Sequence, residues 1–344
     1  MTAQHVADLP AETDAVVLAR LTGDTIDPAD FAVERRPVVA PGPGEVVVHN
    51  LVTSVDPYHL RMLRGGQGHG GVGIGDVVPS NCVGVVVASN DPHAPIGTQV
   101  ATYTGWTEYA TTTLAPTDVA DRRLGDELDW IHVLGTPGVT AYLGLHDVGG
   151  VRGGSTVVVS AAAGAVGGVA VQLAKAAGAR VVAIAGGSAR AEHTVRDLGA
   201  DVGLDHTAAD LVQRLAEATD AGADLFFDNV GGALLPTVVD RLAPFGTAVL
   251  CGSVSTYAGD ASGRSDLDLS DAAMRRLTIR GFIAGDYYES RLVDVREELS
   301  ALLRSGTITN VVTEFDGLKA APEALASVFE RGTTHVGKRV VRIA

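Results

Sequence analysis

The sequence lacks the features that mark several large classes of protein. It has only two cysteines, Cys82 and Cys251, in 344 residues, so a disulfide framework is excluded, and their separation gives no reason to pair them. No apolar run reaches the roughly 18 residues of a membrane span, and the N-terminus has neither a basic flank nor an apolar signal core. We therefore expect a cytoplasmic protein with two free, buried thiols and no membrane partner.

Positive charge is also scarce. Lys and Arg together number 26 against 41 Asp and Glu, which gives a formal net charge of −15 at pH 7. Proteins that bind the phosphate backbone carry basic stripes, so this balance argues against a nucleic-acid partner. Hydrophobic residues make up 46% of the chain, enough for a full core in each of two domains.

One strand–helix–strand stretch in mid-chain has the organisation of a dinucleotide-binding unit. A β-branched run at 156–159 leads into a turn through Ala161, Gly164 and Gly167, then a helical pattern and a second apolar run at 180–185. A glycine turn of this kind lets the backbone approach a pyrophosphate, and the following helix directs its free amides at the anion. The alternative is a structural helix without a ligand, but the two flanking strands favour the dinucleotide site.

The end of the second strand indicates which dinucleotide binds. An NAD site usually has an acidic side chain there for the ribose hydroxyl. This chain has Gly186, Gly187 and Ser188, followed by Arg190. A guanidinium favours a 2′-phosphate through a charge-assisted contact, so we expect NADP(H). The alternative for Arg190 is a solvated arginine in the first turn of a helix.

The strand and helix patterns divide the chain. Residues 1 to about 128 predict a mainly β domain, with strands at 15–20, 45–55, 83–89, 99–103 and 108–111. A helix is predicted at 140–145, and after it strands alternate with helices. The strands begin at Thr156 and Arg180 and continue at 201–205, 224–228, 247–251 and 277–283, and the helices lie at 208–218 and 234–242. Six such strands indicate an α/β fold with a parallel, doubly wound Rossmann sheet. A polar loop is predicted at 255–270, and helices at 291–303 and 320–329 and a strand at 339–343 are expected to return to the first domain.

Polar residues follow two of these strands at the carboxyl edge of the sheet, where ligands bind in such folds. Asn229 lies in the run 228–232 and can hydrogen-bond to the ribose or amide of a cofactor. Tyr257 ends the run 251–257 and can reach the nicotinamide or the substrate. The alternatives are a turn residue for Asn229 and a half-buried aromatic for Tyr257.

Two other chemistries are not supported. A catalytic zinc needs three protein ligands. His69 lies in a glycine-rich run, but Gly70 stands where an acid is expected, and Ser54 and Val55 stand where a thiolate is needed. Ser253 lacks the second glycine of a nucleophile elbow. We therefore predict neither a metal site nor serine hydrolysis.

Together these motifs resemble the zinc-independent medium-chain dehydrogenase/reductase superfamily. The resemblance covers nearly the whole chain and is closest to the branch of leukotriene 12-hydroxydehydrogenases, prostaglandin reductases and plant alkenal double-bond reductases. The segments that carry it are 54–58, 74–79, 104–109, 136–142, 161–168, 227–232, 251–257 and 337–338, of which Asp56-Pro57-Tyr58 and the run 228–232 are the most diagnostic.

The resemblance implies a GroES-like domain from residues 1–128 and 304–344, a Rossmann NADP-binding domain from 129–303, and an active site in the cleft. It assigns the pyrophosphate to the turn Ala163, Gly164, Ala165 and Val166. Arg190 takes the place of a lysine that meets the 2′-phosphate, His206 that of a tyrosine near it, and His335 that of an asparagine near the cofactor. The other expected cofactor contacts are Gly187, Asn229, Cys251, Ser253, Phe282 and Ile283.

The reaction implied is hydride transfer from NADPH to the β-carbon of an α,β-unsaturated aldehyde or ketone. Charge then develops on the carbonyl oxygen, and the family's hydrogen-bond donors match Tyr58 and Tyr257. A quinone or carbonyl reductase of the same superfamily is the alternative enzyme. A non-catalytic NADPH-binding or RNA-binding protein is the alternative of another class. The family also implies a homodimer joined at the edge of the Rossmann sheet.

Overall fold

The computed structural model describes residues 9–64, 71–257, 264–330 and 332–343. These residues form two compact units. The first comprises the described parts of Met1–Ile131, Thr313–Glu330 and Arg339–Ala344, and the second comprises those of His132–Val312 and Arg331–Lys338. The boundaries expected for the two domains from sequence stay a prediction.

Strands and helices follow one another along both units. The strands are β1 Glu12–Leu18, β2 Phe31–Pro37, β3 Glu45–Val55, β4 Cys82–Ser89, β5 Gln99–Thr102, β6 Tyr109–Thr113, β7 Thr156–Ser160, β8 Arg180–Ala185, β9 Val202–Asp205, β10 Ala223–Asp228, β11 Leu242–Leu250, β12 Thr278–Gly281, β13 Val312–Asp316 and β14 Lys338–Arg342. The α-helices are α1 Tyr58–Leu63, α2 Glu127–Ile131, α3 Thr136–Leu143, α4 Ala165–Ala176, α5 Ser188–Arg196, α6 Leu211–Ala218, α7 Leu234–Val239, α8 Leu269–Arg275, α9 Tyr288–Arg304 and α10 Ala321–Phe329.

The second unit is built on a six-stranded sheet in the order β12-β11-β10-β7-β8-β9. All its neighbouring strands pair in parallel. The central strands are apolar on both faces, with Val158 and Phe226 buried on one face and Val159 and Phe227 on the other, because helices cover both sides of a sheet of this kind. The predicted α/β class and the six-stranded Rossmann sheet are confirmed. The order places the carboxyl ends of β7 and β10 side by side, at the point where a doubly wound sheet binds its ligand.

The first unit is mainly β. One sheet runs in the order β13-β14-β3-β4-β5, with β6 also paired to β3, and β1 and β2 form a separate antiparallel pair. The last strand of the chain returns to this unit, since β14 pairs antiparallel with β3 and brings Arg339 opposite Val55. The helix predicted at 291–303, which was expected to return with it, is α9 and lies in the second unit. No helix among the described residues is long and apolar enough to cross a membrane.

Several elements differ from the prediction, each for a physical reason. β2 was not predicted because its sequence, FAVERRP, has three consecutive charged residues and no apolar alternation. The helix predicted at 140–145 begins earlier, at Thr136, with Pro137 in its first turn, a position that proline favours. The helix predicted at 234–242 ends at Val239, because Leu242 already belongs to β11.

The predicted polar loop at 255–270 is also shorter than expected. Residues 254–256 form a 3-10 turn, and α8 begins at Leu269, where the Asp268 side chain accepts hydrogen bonds from the backbone N–H groups of Ser270 and Asp271. Residues 258–263 of this loop lie outside the described residues, as does His69.

Candidate functional site

The turn between β7 and α4 needs close backbone contacts. Ala161 has a positive φ of 48°. A Cβ on Gly167 would lie 2.3 Å from the Ala161 carbonyl oxygen, so the helix can approach the strand only because this residue has no side chain. Gly164 is the N-cap of α4 in an extended conformation, and the first-turn amides that follow it, at Ala165 and Val166, have no acceptor within the helix. This is the arrangement that binds a pyrophosphate.

The same turn is held from outside by residues distant in sequence. The N–H of Gly337 donates to the Ala163 carbonyl at 2.8 Å, next to a backbone bridge between Gly164 and Gly337. The buried His132 contacts the Ala165 carbonyl through Nε2 at 2.9 Å. Sequence reasoning did not find His132, which has no motif around it. His335 lies two residues before Gly337, and its N–H donates to Thr333 Oγ1 at 3.3 Å.

At the end of β8, two basic side chains flank Gly186. A Cβ on Gly186 would lie 2.5 Å from Nη2 of Arg190 and 2.9 Å from Nε2 of His206. Arg190 Nε donates to the Gly186 carbonyl, and the His206 N–H donates to the Ala185 carbonyl at 2.9 Å. The structure therefore brings these two sequence-predicted residues together, next to Gly187.

A carboxylate that the sequence reasoning did not consider also lies here. Asp205 Oδ1 accepts hydrogen bonds from the N–H of Gly187 at 2.8 Å and from the N–H and hydroxyl of Thr207 at 2.9 and 2.8 Å. Burial opposes ionisation, but these donors outweigh it and hold the pKa of Asp205 below its usual value. Burial lowers the pKa of Arg190, a shift that the Asp205 charge opposes. Asp205 could have been recognised as the last residue of the third parallel strand.

A buried network joins the carboxyl ends of β7 and β10. The hydroxyl of Ser160 donates to Asp228 Oδ1 at 2.7 Å and accepts from the N–H of Asn229 at 2.8 Å. The Asn229 side-chain amide donates to the Ser160 carbonyl at 2.8 Å. Burial raises the pKa of Asp228 although the N–H groups of Val230 and Gly231 oppose the shift. Asn229 thus links the two central strands, and its contact with the cofactor stays a prediction.

The run after β11 contains two of the predicted cofactor contacts, Cys251 and Ser253. Cys251 was predicted to be buried, but it is partly exposed, whereas Cys82 is fully buried. The exposed part of the residue is not the thiol, because burial of the thiol raises the pKa of Cys251 to about 12, and the charge of Asp228 adds to the shift. Ser253 Oγ lies 3.2 Å from Thr256 Oγ1, and the N–H of Tyr257 donates to the Val254 carbonyl at 3.1 Å.

The residues after β12 include the last two predicted cofactor contacts. The ring of Phe282 packs over Gly144, where a Cβ would lie 2.8 Å from the ring and 2.4 Å from the ring of Phe227. Ile283 is 66% exposed. Both residues lie in the second unit, with every other predicted cofactor contact.

Tyr58 lies in the first unit and begins α1. Its ring stacks on the buried His59 at 4.6 Å between centroids. His59 Nδ1 lies 3.0 Å from the N–H of Asp56, and Nε2 lies 3.0 Å from the Pro79 carbonyl. These contacts fix the imidazole and, through the stack, the orientation of the phenol.

The Tyr58 hydroxyl also interacts with that of Tyr103, which follows β5. Burial raises the pKa of Tyr58 above its usual range, and the charge of Asp56 and the interaction with Tyr103 raise it further. Burial also raises the pKa of Tyr103, although its hydrogen bond with Tyr58 opposes the shift. Tyr58 is therefore a neutral hydrogen-bond donor at physiological pH. Sequence reasoning missed His59 and Tyr103, although both adjoin segments that carry the resemblance.

The described residues show no group of three or more His, Cys, Asp or Glu side chains that could hold a metal ion. At the position where a thiolate would be needed for zinc, the Ser54 hydroxyl donates to the Asp56 carboxylate.

The fold and the glycine turn define a dinucleotide-binding oxidoreductase, and comparison with known proteins places it more closely. Residues 165–333 match the family described as zinc-binding dehydrogenase, and residues 15–119 match the N-terminal domain of oxidoreductase. The NADPH-dependent curcumin reductase of Escherichia coli is 33% identical over 92% of this chain and 93% of its own length. The 2-alkenal reductase (NADP(+)-dependent) of Nicotiana tabacum is 32% identical over 89% of both chains.

A solved structure gives the same result. CurA of Vibrio vulnificus in complex with NADPH superposes with a TM-score of 0.87, at 31% identity, over 96% of this chain and 99% of that one. The chain belongs to the medium-chain dehydrogenase/reductase family, in the zinc-independent branch that contains the prostaglandin and alkenal reductases.

Proposed function

We propose that this protein uses NADPH to reduce the C=C bond of α,β-unsaturated aldehydes and ketones, without zinc, by placing hydride on the β-carbon. It is an NADP-dependent oxidoreductase acting on C=C bonds, as its relatives' names indicate. The structural observation that carries the proposal is a pair of basic side chains, Arg190 and His206, that lie together at the end of β8. They belong to the same unit as the glycine turn.

The residues of the second unit fit the cofactor. A Cβ on Gly167 would meet backbone atoms, and a Cβ on Gly186 would meet the side-chain nitrogens of Arg190 and His206. The amides of Ala165 and Val166 would hold the pyrophosphate, and Arg190 with His206 would hold the 2′-phosphate. When bound, NADPH supplies the hydride.

Tyr58 is the donor we propose for the carbonyl oxygen of the substrate. Hydride addition to the β-carbon moves negative charge onto that oxygen, so a donor fixed in advance stabilises the transition state more than the ground state. The stack on His59 fixes the ring, and the raised pKa of Tyr58 keeps its proton in place. A phenol this reluctant to ionise is a poor proton source, which leaves water as the source of the proton for the α-carbon.

Tyr257 remains the second predicted donor. Its backbone N–H donates to the Val254 carbonyl, which fixes the position of Tyr257 at the end of the 3-10 turn after β11, in the second unit. The run that contains it also holds Cys251, whose pKa of about 12 keeps it a thiol rather than a thiolate. A thiolate would be alkylated by an unsaturated carbonyl compound, whereas a thiol reacts slowly.

A panel of enals, enones, quinones and saturated aldehydes tests the proposal. NADPH oxidation is followed optically, and the products are identified by mass spectrometry. We expect saturated carbonyl products from the enals and enones. Alcohols or hydroquinones as the main products would instead support a carbonyl or quinone reductase, and no oxidation with any substrate would refute the proposal.

We further propose a homodimer joined at the sheet edge formed by β12. This strand ends the sheet of the second unit, and the exposed apolar residues Met274 and Ile283 lie on either side of it in sequence. An exposed strand edge can pair with a second copy of itself. Light scattering after gel filtration should give about twice the chain mass of 35.3 kDa, whereas the mass of one chain would contradict the dimer.

A further inference from the structure

The two basic groups at Gly186 differ in one chemical respect. The guanidinium of Arg190 is charged at every physiological pH, whereas an imidazole has an ordinary pKa of about 6.5. Both nitrogen atoms lie close to the same point, the position that a Gly186 Cβ would occupy. An anion bound beside these two side chains would meet one permanent charge and one that depends on a proton.

His206 is open to solvent and has charged neighbours. Its side chain is exposed, and its N–H is anchored to the Ala185 carbonyl at 2.9 Å. The charged groups that face it are Arg190 from α5 and Asp205, the preceding residue at the end of β9. Asp205 keeps its negative charge because Gly187 and Thr207 donate to it.

We propose that His206 takes up a proton from solvent as the 2′-phosphate of NADP(H) binds beside Arg190, so that affinity for NADP(H), unlike that for NAD(H), depends on pH near neutrality. This inference rests on the cofactor and not on which substrate is reduced. A dianionic phosphate stabilises an adjacent imidazolium.

The sign of the pH effect follows from linkage. If the bound state holds more protons than the free state, affinity rises as pH falls, by at most about ten-fold per pH unit. The gain ends near pH 6, where the phosphate itself begins to take up a proton. Between about pH 8 and 6.5, NADP(H) should therefore bind more tightly as the pH falls, while NAD(H) should not change.

Calorimetry with 2′,5′-ADP, which carries the 2′-phosphate but no nicotinamide, tests this directly, with 5′-ADP as the matched ligand. Titrations near pH 7.2 in buffers of different ionisation enthalpy give the number of protons exchanged on binding. We expect a net uptake of protons for 2′,5′-ADP and no uptake for 5′-ADP. A titrating phosphate would give the opposite sign, because a cationic site makes it release its residual proton.

Three variants test whether the proton is taken up by His206. His206→Asn should abolish the uptake and weaken 2′,5′-ADP binding several-fold, with 5′-ADP unchanged as evidence of a folded site. His206→Lys should bind 2′,5′-ADP tightly across the pH range without uptake. His93→Asn, at an exposed histidine of the first unit, should behave as the parent. Zero uptake or proton release by the parent, or unchanged uptake in His206→Asn, would overturn the proposal whether or not the protein reduces enones.

Discussion

The Asp205 carboxylate accepts a hydrogen bond from the backbone N–H of Gly187, with Oδ1 2.8 Å from the nitrogen. An acidic group is thus present near the dinucleotide site, although the sequence has none at the end of β8. It lies at the end of the next strand, β9, and its Oδ1 is occupied by donors from Gly187 and Thr207. In our proposal, selection of NADP(H) depends on Arg190 and His206 in the presence of this acid, not on the absence of an acid.

Asp205→Asn should therefore tighten binding of the 2′-phosphate. The amide can still accept from Gly187, but the negative charge near the phosphate is lost. One unit charge at about 4 Å in water changes the interaction by about 1 kcal/mol, or about five-fold in affinity for 2′,5′-ADP. Calorimetry with 2′,5′-ADP and 5′-ADP measures the effect. Asp224→Asn is the control, since Asp224 also accepts a backbone N–H, from Thr156, but at the opposite end of the strands.

Arg190→Ala should weaken NADPH far more than NADH. Hydrogen bonds to charged groups contribute about 1.5 to 3 kcal/mol, which corresponds to a ten- to hundred-fold rise in the Kd of NADPH. The Kd of NADH should change less than about three-fold. Both constants can be measured by the fluorescence of the reduced nicotinamide.

Arg196→Ala is the matched control for this substitution. Arg196 lies on the same helix, α5, but it is paired with Asp197 at 2.7 Å. We expect no change in either constant. Equal weakening of NADPH and NADH by Arg190→Ala would remove the reason for assigning Arg190 to the phosphate.

Tyr58→Phe should lower kcat/KM for an enone by about a hundred-fold, the usual effect of removing one donor to an oxyanion. The Kd of NADPH should not change. The parent enzyme should show no loss of activity from ionisation of Tyr58 up to about pH 10, because a raised pKa keeps the phenol protonated above its ordinary value.

Tyr109→Phe is the control for the phenol. Tyr109 also lies in the first unit and stacks on a histidine, His49, at 4.5 Å between centroids. Its loss should leave kcat/KM within about two-fold of the parent. A similar loss of activity in both variants, or a higher NADPH Kd in Tyr58→Phe, would show that Tyr58 does not act on the substrate oxygen.

Gly167→Ala and Gly168→Ala should have opposite effects on stability. A Cβ at Gly167 would lie 2.3 Å from the Ala161 carbonyl oxygen, whereas at Gly168 the nearest atom would be Leu198 Cδ1 at 3.5 Å. The first change forces strand and helix apart, at a cost of about 1 to 3 kcal/mol. The second gains up to about 1 kcal/mol of helix propensity. Thermal unfolding followed by circular dichroism compares them, and equal midpoints would contradict the close contact at Gly167.

The sequence predicted most of the second unit because its strands are dense in β-branched residues. The run 180–185 coincides with β8, and the alternation of strands with helices predicted the parallel pairing. The first unit was less predictable. Its strand β2 has three consecutive charged residues and no apolar alternation. In the second unit, the glycines around Gly138 concealed the start of α3 at Thr136.

The candidate site was predictable only where a local motif marks it. Arg190 and Gly187 follow a recognisable strand. Tyr103 could not be assigned to Tyr58 from sequence, because the pair depends on how β3, β4 and β5 align in the sheet. The partner of Asn229 was equally hidden, since Ser160 reaches it only through the parallel pairing of β7 with β10.

The destination of the hydride tests the central claim most directly. NADPH carrying deuterium at C4 of the nicotinamide, on the transferred face, is supplied with an α,β-unsaturated ketone, and the product is analysed by NMR and mass spectrometry. We predict a saturated ketone with one deuterium on the β-carbon and a solvent-derived hydrogen on the α-carbon. Deuterium on the carbonyl carbon of an alcohol product would contradict the account.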